Sequence, residues 1–455
     1  MAAELVGSSP IWGGGTNLTI SATTNVIAHP KGAKSPVKLL FAASTGTMIE
    51  WYDFAIFAFC ATLVFNTAFF PDISPVAGLI AALSTQAVGF ISRPAGGWFF
   101  GVLGDRIGRK KALVVSLFLM GGSTVAMGLL PTYHHVGVLA PILLLVLRML
   151  QGFAIGGEST GALLLIAESL PARRRGLWTG FPMIGGPAGN VLATAVIGGV
   201  IGIFGIDAFS EWAWRIPFIG SIILIGLGAW VRRQVEESPA FIELREKKAE
   251  VAKAPLREAF NSHGGGMLKV FLVKSGESAL FYLFSTFFVV LATVFLKSPR
   301  ADALNALFIG SIVEVAIILL AGATADRIGR RTVTLVGLAG GVAASFYLFT
   351  LSPGVSSSDL MTATILTLSF HGIIVGGMSA YFTELFPSRI RYTAMSTSYS
   401  AGTVFGGALA PIIGTWLLTE SGTPFAVALY AMAMAVPAVV VMFTTPETKG
   451  TNLVN

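Results

Sequence analysis

The sequence predicts an all-α polytopic membrane protein with twelve transmembrane helices in two six-helix halves. Three observations carry this prediction: the composition, twelve long apolar segments, and a motif that occurs twice. Of the 455 residues, 54% are hydrophobic and only 12% are charged, about half of the charged fraction that is usual in soluble proteins. So few charges cannot cover a soluble surface, and the composition therefore favours a chain that lies mostly in lipid.

Twelve segments are long and apolar enough to cross a bilayer, which takes roughly 20 mostly apolar residues per helix. Their residues form continuous apolar runs rather than the alternation of a strand or the spacing of a heptad, so the segments are predicted to be helices. The predicted spans, numbered in this order, are 37–65, 75–103, 111–130, 137–163, 178–205, 215–231, 270–296, 303–323, 332–351, 360–382, 393–418 and 425–444.

The spans divide the chain into five regions. Residues 1–36 are rich in Gly, Ser, Thr and Pro and lack the basic start and apolar core of a signal peptide, which predicts a flexible cytoplasmic tail. The N-terminal half, 37–231, and the C-terminal half, 270–445, each hold six spans. They are joined by 232–269, a polar stretch whose charges indicate a solvated surface helix on the cytoplasmic side. Residues 446–455 are expected to form a cytoplasmic C-terminal tail.

The net charge of +7 would also fit a nucleic-acid surface, but the position of the basic residues decides against it. Most of the 30 Lys and Arg fall in the predicted tails and in alternate loops, for example at 106–111 and 173–175. This positive-inside pattern places both termini in the cytoplasm and the chain in the plasma or inner membrane. The single cysteine, Cys60, excludes a disulfide framework and a cysteine-based metal site, and no cofactor, metal or nucleic-acid partner is expected.

A five-residue motif occurs twice, because Asp105–Arg109 recurs unchanged as Asp326–Arg330. The two copies follow span 2 and span 8, which are the equivalent spans of the two halves. Two six-helix halves of the same topology predict a transporter that rocks about a central site near the bilayer midplane.

Residues 101–110 resemble the signature of the loop between helices 2 and 3 in the major facilitator superfamily. Four further stretches resemble the metabolite:proton symporter family within it, at 50–54, 93–97, 148–162 and 384–393. The resemblance covers nearly the whole chain. It implies the major facilitator fold, a monomer in the lipid bilayer, and proton-coupled uptake of a small metabolite. In that family the candidate substrates are shikimate-like or aromatic acids, di- and tricarboxylates, and the osmolytes proline and betaine.

The resemblance assigns the repeated motif to an inner gate. Its glycines allow a tight turn and close helix approach, and its acidic and basic members can form charge-assisted hydrogen bonds that hold the gate closed. The candidate gate residues are Gly104, Asp105, Arg106, Gly108, Arg109, Asp326, Arg327, Gly329 and Arg330.

Acidic residues inside the spans are candidates for proton coupling, because a charge in the bilayer core costs at least a few kcal/mol and needs a reason. Glu50 and Asp53 are three residues apart and share a helical face. At low dielectric two neighbouring carboxylates resist being ionised together, so one of them can carry a proton. A structural pair bound to neighbouring helices is the alternative. The full set of candidates is Glu50, Asp53, Glu158, Glu277 and Glu314.

Two arginines inside the spans, Arg93 and Arg148, are candidates for binding substrate. The offset of the repeat relates Arg93 to Glu314, so opposite charges lie at the same depth in equivalent helices. The Arg93 guanidinium can match a substrate carboxylate bidentately. A permanent ion pair of Arg93 with Glu50 or Asp53 is the alternative.

Span 4 carries a polar stripe formed by Arg148, Gln151 and Glu158. Arg148 stays charged, so it can hold an anionic substrate or stabilise ionised Glu158, and Gln151 is expected to bind substrate beside it. Tyr52 is expected to line the same cavity. His371 in span 10 is expected to be a packing residue, with a proton relay as the alternative.

The leading hypothesis is a proton symporter that takes up a small organic acid, such as shikimate, an aromatic acid or a di- or tricarboxylate. The alternatives are a symporter of proline or betaine, a drug:proton antiporter, and a membrane sensor that does not transport. Residues 185–190 partly resemble a drug-antiporter motif, 446–450 resemble a sugar-porter motif, and Ser159 and Thr160 stand where the symporter family has a tyrosine. An enzyme is not expected, because the sequence has no nucleophile–base arrangement, Walker loop or cluster of metal ligands.

Overall fold

The computed structural model describes residues 36–72, 75–246 and 255–453, and every regular element in these ranges is helical. The predicted tail before Pro36 lies outside the described residues. The N half has six long helices, two of which are extended by further segments: α1 continues through Ala61–Phe65 to Asn66–Phe69, and α5 is followed by Phe209–Ala213. These six helices are α1 (Pro36–Cys60), α2 (Pro75–Ile107), α3 (Arg109–Gly128), α4 (Leu139–Ser169), α5 (Arg175–Ala208) and α6 (Arg215–Arg233).

The C half repeats this arrangement. Here α7 continues through two π-helical segments, Leu283–Phe287 and Leu291–Phe295, and α11 continues through Val404–Ala408 to Ala410–Ser421. The six helices are α7 (Pro255–Tyr282), α8 (Arg300–Ile328), α9 (Arg330–Phe349), α10 (Ser357–Glu384), α11 (Arg391–Thr403) and α12 (Phe425–Thr444).

The twelve predicted spans correspond one to one with these helices. Within the described ranges, ten helices are long and apolar enough to cross a membrane, and the bent α1 segment adds an eleventh. The twelfth is α2, whose 33 residues are more than a span requires. Large apolar side chains such as Ile203 and Ile223 are mostly exposed on the outside of the bundle, as expected for a surface that faces lipid.

Glycines let helices within one half touch backbone to backbone. A Cβ atom on Gly96 of α2 would lie 1.7 Å from the carbonyl oxygen of Phe153 in α4. A Cβ atom on Gly156 of α4 would lie 2.2 Å from the carbonyl oxygen of Arg93. Small residues at helix contacts are typical of membrane bundles, and here they fix α2 against α4 with no intervening side chain.

The two halves meet closely at one end of the bundle, which we call the motif end because it holds Asp105 and Asp326. There α2 lies against α11, and the Ser396 hydroxyl donates a hydrogen bond to the carbonyl oxygen of Gly97. On the other side α5 lies against α8, so closely that a Cβ on Gly176 would lie 2.4 Å from a backbone oxygen of α8. The motif end is therefore closed in this structure.

The predicted central loop, 232–269, contains helical segments. A short helix, Pro239–Glu246, follows α6, and a further helical segment begins at Pro255. Residues 247–254 lie outside the described ranges. The segment from Pro255 bends at His263, whose φ of −132° and ψ of 19° are not helical, before α7 continues through the apolar run that predicts a span.

Glutamates that follow the last helix of each half extend the repeat. Glu237, after α6, accepts a hydrogen bond from the backbone N–H of Arg109 at 2.9 Å. Glu447, after α12, accepts one from the backbone N–H of Arg330, also at 2.9 Å. Both carboxylates thus lie at a helix N-terminus, where a negative charge is stabilising.

The last described residues, which belong to the predicted C-terminal tail, pack against the motif end. We call residues 446–453 the C-terminal strap. Arg391 of α11 donates a hydrogen bond to the carbonyl oxygen of Leu453 at 2.9 Å, and Arg175 of α5 donates one to that of Thr451 at 3.0 Å. The Leu453 side chain is only 3% exposed. The strap therefore contacts both halves.

Candidate substrate and proton site

A cavity lies between the two halves, about half-way along the helices. It holds about 850 Å³ of space not filled by protein atoms, including the part open to solvent. The N half contributes Glu50 and Arg93 to its wall, and the C half contributes Lys274 and Glu277. Transporters built from two repeats bind their substrate and coupling ion in such a cavity, between the repeats and near the bilayer midplane.

On the N-half wall, Arg93 is held by aromatic rings rather than by acids. Its guanidinium carbon lies 4.5 Å from the ring centre of Phe90 and 5.4 Å from that of Phe54. Arg93 is 9% exposed, and its Nε has no protein hydrogen-bond partner. The alternative of a permanent ion pair with Glu50 or Asp53 is not formed in this conformation.

Glu50 also lines this wall, beside the hydroxyl of Ser159, which stands where the symporter family has a tyrosine. Its carboxylate accepts a hydrogen bond from Ser159 of α4 at 2.7 Å. Asp53 does not line the cavity and accepts hydrogen bonds from Thr124 and Ser221 inside the N half instead. Among the described residues, Glu50 is the acid of the N half that lines the cavity.

The C-half wall holds a row of four ionisable groups, which we call the C-half charge chain. Lys274 Nζ lies 2.6 Å from Glu277 Oε2, and Glu277 Oε1 lies 3.2 Å from His371 Nε2. His371 Nδ1 is hydrogen-bonded in turn to Glu314. All four side chains are at least 90% buried, and all four line the cavity. His371 thus contacts a carboxylate at each ring nitrogen, and its ring also packs on that of Phe281, with ring centres 4.8 Å apart.

Aromatic contacts between the halves cover the cavity on the side away from the motif end. Trp51 of α1 packs edge-to-face on Phe281 of α7, with ring centres 5.6 Å apart. Phe90 of α2 packs in the same way on Tyr282, at 5.7 Å. Such pairs contribute roughly 0.5–1.5 kcal/mol each beyond their buried area, so they help to hold the two halves together on this side of the cavity.

A second polar cluster lies inside the N half, away from the cavity. Asp53 is fully buried and accepts hydrogen bonds from Thr124 at 2.6 Å and Ser221 at 3.3 Å. Gln151 donates to Thr124 at 2.7 Å and accepts from Arg148. The structure thus links Asp53, Gln151 and Arg148 through Thr124, a grouping that the sequence does not predict, and it lies away from the cavity wall.

Tyr52 and Glu158 also lie elsewhere than the sequence suggests. The Tyr52 hydroxyl donates to the carbonyl oxygen of Pro217 at 2.9 Å, a packing contact within the N half. Glu158 pairs with Arg232 of α6 and accepts a hydrogen bond from Ser116 at 2.7 Å. It does not meet Arg148, because ten residues of helix separate the two by about 15 Å along the axis.

At the motif end, two related ionic networks connect the halves. Arg391 of the C half lies 2.7 Å from Glu168 of the N half, which also pairs with Arg109. In the second network, Arg175 of the N half lies 2.7 Å from Glu384 of the C half. Glu384 also pairs with Arg330, as Glu168 does with Arg109.

The other motif residues have separate roles. Gly108 and Gly329 both have φ of 108°, a conformation that favours glycine, between consecutive helices. A Cβ on Gly104 would lie 2.0 Å from the ring of Tyr392, so this glycine allows α2 to approach α11. The side chains of Arg106 and Arg327 are exposed at the surface.

Several buried cations are not among the candidates drawn from the sequence, and Lys274 and Arg232 are two of them. Lys274 lies within the predicted span 270–296, and its position three residues before Glu277 on one helical face could have revealed it. Arg232 falls one residue beyond the predicted end of span 6, where a basic residue is read as part of the positive-inside pattern.

Comparison with known proteins identifies the family. Residues 38–264 and 262–455 match the model of the sugar (and other) transporter family. The inner membrane metabolite transport protein YhjE of Escherichia coli (strain K12) is 37% identical, over 95% of this chain and 100% of that protein. The shikimate transporter of the same organism is 36% identical over 85% and 89%, and the proline/betaine transporter of Salmonella typhimurium is 32% identical over 90% and 83%.

Solved structures show the same fold. The major facilitator superfamily proton:xylose symporter XylE bound to 6-bromo-6-deoxy-D-glucose superimposes with a TM-score of 0.77 at 19% identity, covering 92% of this chain and 97% of that one. The inward open conformation of XylE superimposes with a TM-score of 0.63, also at 19% identity, over 92% and 98%. The chain therefore belongs to the sugar (and other) transporter family, and it is a major facilitator superfamily transporter of the metabolite:proton symporter type that its motifs resemble.

Proposed function

We propose that this protein takes up a small organic acid together with protons, and that the substrate carboxylate binds Arg93 in the cavity between the halves. Shikimate, an aromatic acid, and a di- or tricarboxylate are the candidate substrates. The proposal rests on the environment of Arg93, which is buried in the cavity wall, lies against two aromatic rings, and forms no ion pair there. A relative that is 36% identical is named as a shikimate transporter, which supports an acid.

A carboxylate is the group that best completes the coordination of this arginine. The rings of Phe54 and Phe90 lie near the guanidinium and leave its N–H edge for a planar anion, which can accept two parallel hydrogen bonds. A buried donor without a partner costs free energy until a ligand satisfies it. A substrate carboxylate that accepts these hydrogen bonds therefore removes this cost, which favours its binding.

Proton coupling is proposed for the acids that share the cavity with Arg93, namely Glu50, Glu277 and Glu314. Each lines the cavity wall, so a proton on any of them changes the charge that the substrate meets. Asp53 and Glu158 stay candidates as predicted from the sequence, although neither lines the cavity. The absence of a nucleotide-binding motif in the sequence favours an ion gradient as the source of energy.

A zwitterionic osmolyte such as proline or betaine is the second candidate. The cavity offers acids for a positive group, and Trp51 and Tyr282 offer ring faces that attract a quaternary ammonium ion. A relative that is 32% identical is named as a proline/betaine transporter. Drug antiport is a weaker alternative, although Gly186, Pro187 and Asn190 of the partial antiporter motif do line the cavity.

Uptake of labelled shikimate, 2-oxoglutarate, citrate, benzoate, proline and betaine by cells that express the protein tests this proposal. Each compound is measured with and without a protonophore, for the wild type, Arg93→Ala and a control, Arg389→Ala. Arg389 is half exposed and pairs with Glu258 at the surface. We expect protonophore-sensitive uptake of an acid that Arg93→Ala abolishes and Arg389→Ala retains. Uptake of betaine or proline alone would favour the osmolyte, and resistance to cationic drugs without acid uptake would favour the antiporter.

A further inference from the structure

We infer that Lys274 is a second anion-binding group of the cavity, and that a substrate carboxylate displaces Glu277 from it and thereby drives Glu277 to take up a proton. This inference rests on the proposed function, because it needs an acidic substrate. It assigns a role to a lysine that the sequence motifs do not mark, and it couples one carboxylate to one proton at the C-half wall.

The first step of the argument is the position of Lys274. Its ammonium lies 2.6 Å from Glu277 Oε2 and 4.4 Å from the ring centre of Tyr399. Lys274 and Tyr399 both line the cavity. An ammonium has three N–H donors, and a carboxylate in the cavity can compete for them with Glu277.

The second step concerns the charge of the C-half charge chain. Both ring nitrogens of His371 face carboxylate oxygens, one of Glu277 and one of Glu314. A hydrogen bond between a ring nitrogen and a carboxylate oxygen requires a proton on one of the two atoms. With His371 doubly protonated, two cations and two carboxylates alternate along the chain, and the chain has no net charge. This is the state in which four buried ionisable groups can share a low-dielectric wall.

The third step is the loss of the ion pair between Lys274 and Glu277, which changes the charge balance of the C-half charge chain. When a substrate carboxylate takes over the Lys274 ammonium, Glu277 keeps only the His371 cation, which it shares with Glu314. One buried carboxylate is then in excess, which disfavours the ionised form of Glu277. A proton then binds Glu277 Oε2, the oxygen that Lys274 leaves. One O–H bond forms, no other covalent bond changes, and the charge of the bound carboxylate is balanced by the proton.

Other charged and titratable groups face this chain from the walls of the cavity, and apart from Lys274 and His371 none of them is paired with Glu277. Ser278 donates a hydrogen bond to Glu277 at 2.8 Å, but a hydroxyl carries no charge. On the opposite wall Arg93 is held against Phe90 and Phe54. The groups that face the chain from α1, α2, α7 and α11 are Glu50, Arg93, Tyr282 and Tyr399.

Proteoliposomes with the purified protein test the inference, with labelled shikimate, 2-oxoglutarate, citrate and benzoate as probes. Two assays are compared: accumulation driven by an imposed pH gradient, and exchange of labelled for unlabelled acid, which needs no net proton movement. The variants are Lys274→Gln, Glu277→Gln and the double variant. The control is Lys269→Gln, a lysine on the same helix that does not line the cavity.

We expect Lys274→Gln to raise the KM for the transported acid about tenfold or more, as the loss of a charged hydrogen-bond partner implies. Glu277→Gln should still exchange acid but lose its stimulation by the pH gradient. The double variant, which leaves no unpaired charge, should fold and exchange with the KM of Lys274→Gln. A wild type that transports none of the acids overturns the proposed function. An acid-transporting wild type with an unchanged KM in Lys274→Gln, or a Glu277→Gln variant that is still driven by the gradient, overturns this inference alone.

Discussion

Asp105 of the N half caps the first turn of α11 in the C half, because its carboxylate accepts a hydrogen bond from the backbone N–H of Thr393 at 2.9 Å. Asp326 of the C half makes the reciprocal contact, accepting from the N–H of Gly176 at the start of α5 at 2.8 Å. Each half thus places an anion at the N-terminus of a helix in the other half, where the helix dipole stabilises it.

The Asp105 cap leads to a first prediction. Asp105→Asn removes the charge but keeps the shape, so the contact between α2 and α11 should weaken and the motif end should open more often. The readout is the rate at which a thiol reagent modifies Ser396→Cys, which is fully buried between these helices, in a Cys60→Ala background. We expect a several-fold faster rate.

Arg389→Gln is the matched control for this experiment. It removes a charge at the same end of the molecule, but its ion pair with Glu258 lies within the C half. It should leave the modification rate of the cysteine unchanged. Equal rates in Asp105→Asn and the unaltered protein would show that the cap does not hold the motif end closed.

The C-terminal strap leads to a second prediction. Ending the chain after Lys449 keeps the Glu447 cap but removes the carbonyl groups that accept hydrogen bonds from Arg175 and Arg391. Because these bonds connect both halves to one segment, the shortened protein should also expose the cysteine at position 396 faster. Thr451→Ala is the control, since it keeps the main-chain oxygen. A shortened protein with the rate of this control would contradict a role for the strap.

The buried pair of Glu158 and Arg232 leads to a third prediction. Glu158→Gln leaves the arginine without its counter-charge, which should lower the free energy of unfolding by about 3 kcal/mol or more. Thermal unfolding of the purified protein in detergent measures this. Replacing both residues, as Glu158→Gln with Arg232→Met, should recover at least half of the lost stability and retain proton-driven uptake per folded molecule. Loss of that coupling in a stable double variant would instead support Glu158 as a proton carrier.

The glycine contacts between α2 and α4 lead to a fourth prediction. Gly96→Ala forces a methyl group into a backbone carbonyl, and overpacking of this kind costs about 1–3 kcal/mol or more. Gly122→Ala is the control, because a Cβ there meets nothing within 4 Å and alanine favours a helix by about 1 kcal/mol. We expect Gly96→Ala to lower the unfolding temperature clearly and Gly122→Ala not to lower it. Equal unfolding temperatures would mean that α2 can move away from α4.

The helices and the repeat could be predicted from the sequence because both depend on local patterns. Span 4 at 137–163 corresponds to α4 at Leu139–Ser169, although the helix continues beyond the apolar run. The partners of the intramembrane charges could not be predicted, since they depend on which helices are neighbours. Glu158 pairs with Arg232 across α4 and α6, and no spacing along the chain reports that contact.

The cavity itself was predictable only in part. The offset between the two copies of the motif relates Arg93 to Glu314, and both residues line the cavity. Asp53 shares a helical face with Glu50 in the sequence, yet hydrogen bonds from Thr124 and Ser221 hold it inside the N half. A helical face about 100° wide can border a cavity at one edge and a neighbouring helix at the other, so spacing alone cannot assign the two.

The contact of Gly156 with the carbonyl oxygen of Arg93 also has a mechanical consequence. Because α2 is packed against α4 on both sides of Pro94, at Arg93 and at Gly96, we expect the two helices to move as one rigid unit when the halves rearrange. Arg93 and Asp105 lie on the same helix, about 18 Å apart along its axis at helical rise, so such a movement would change the cavity wall and the motif end together.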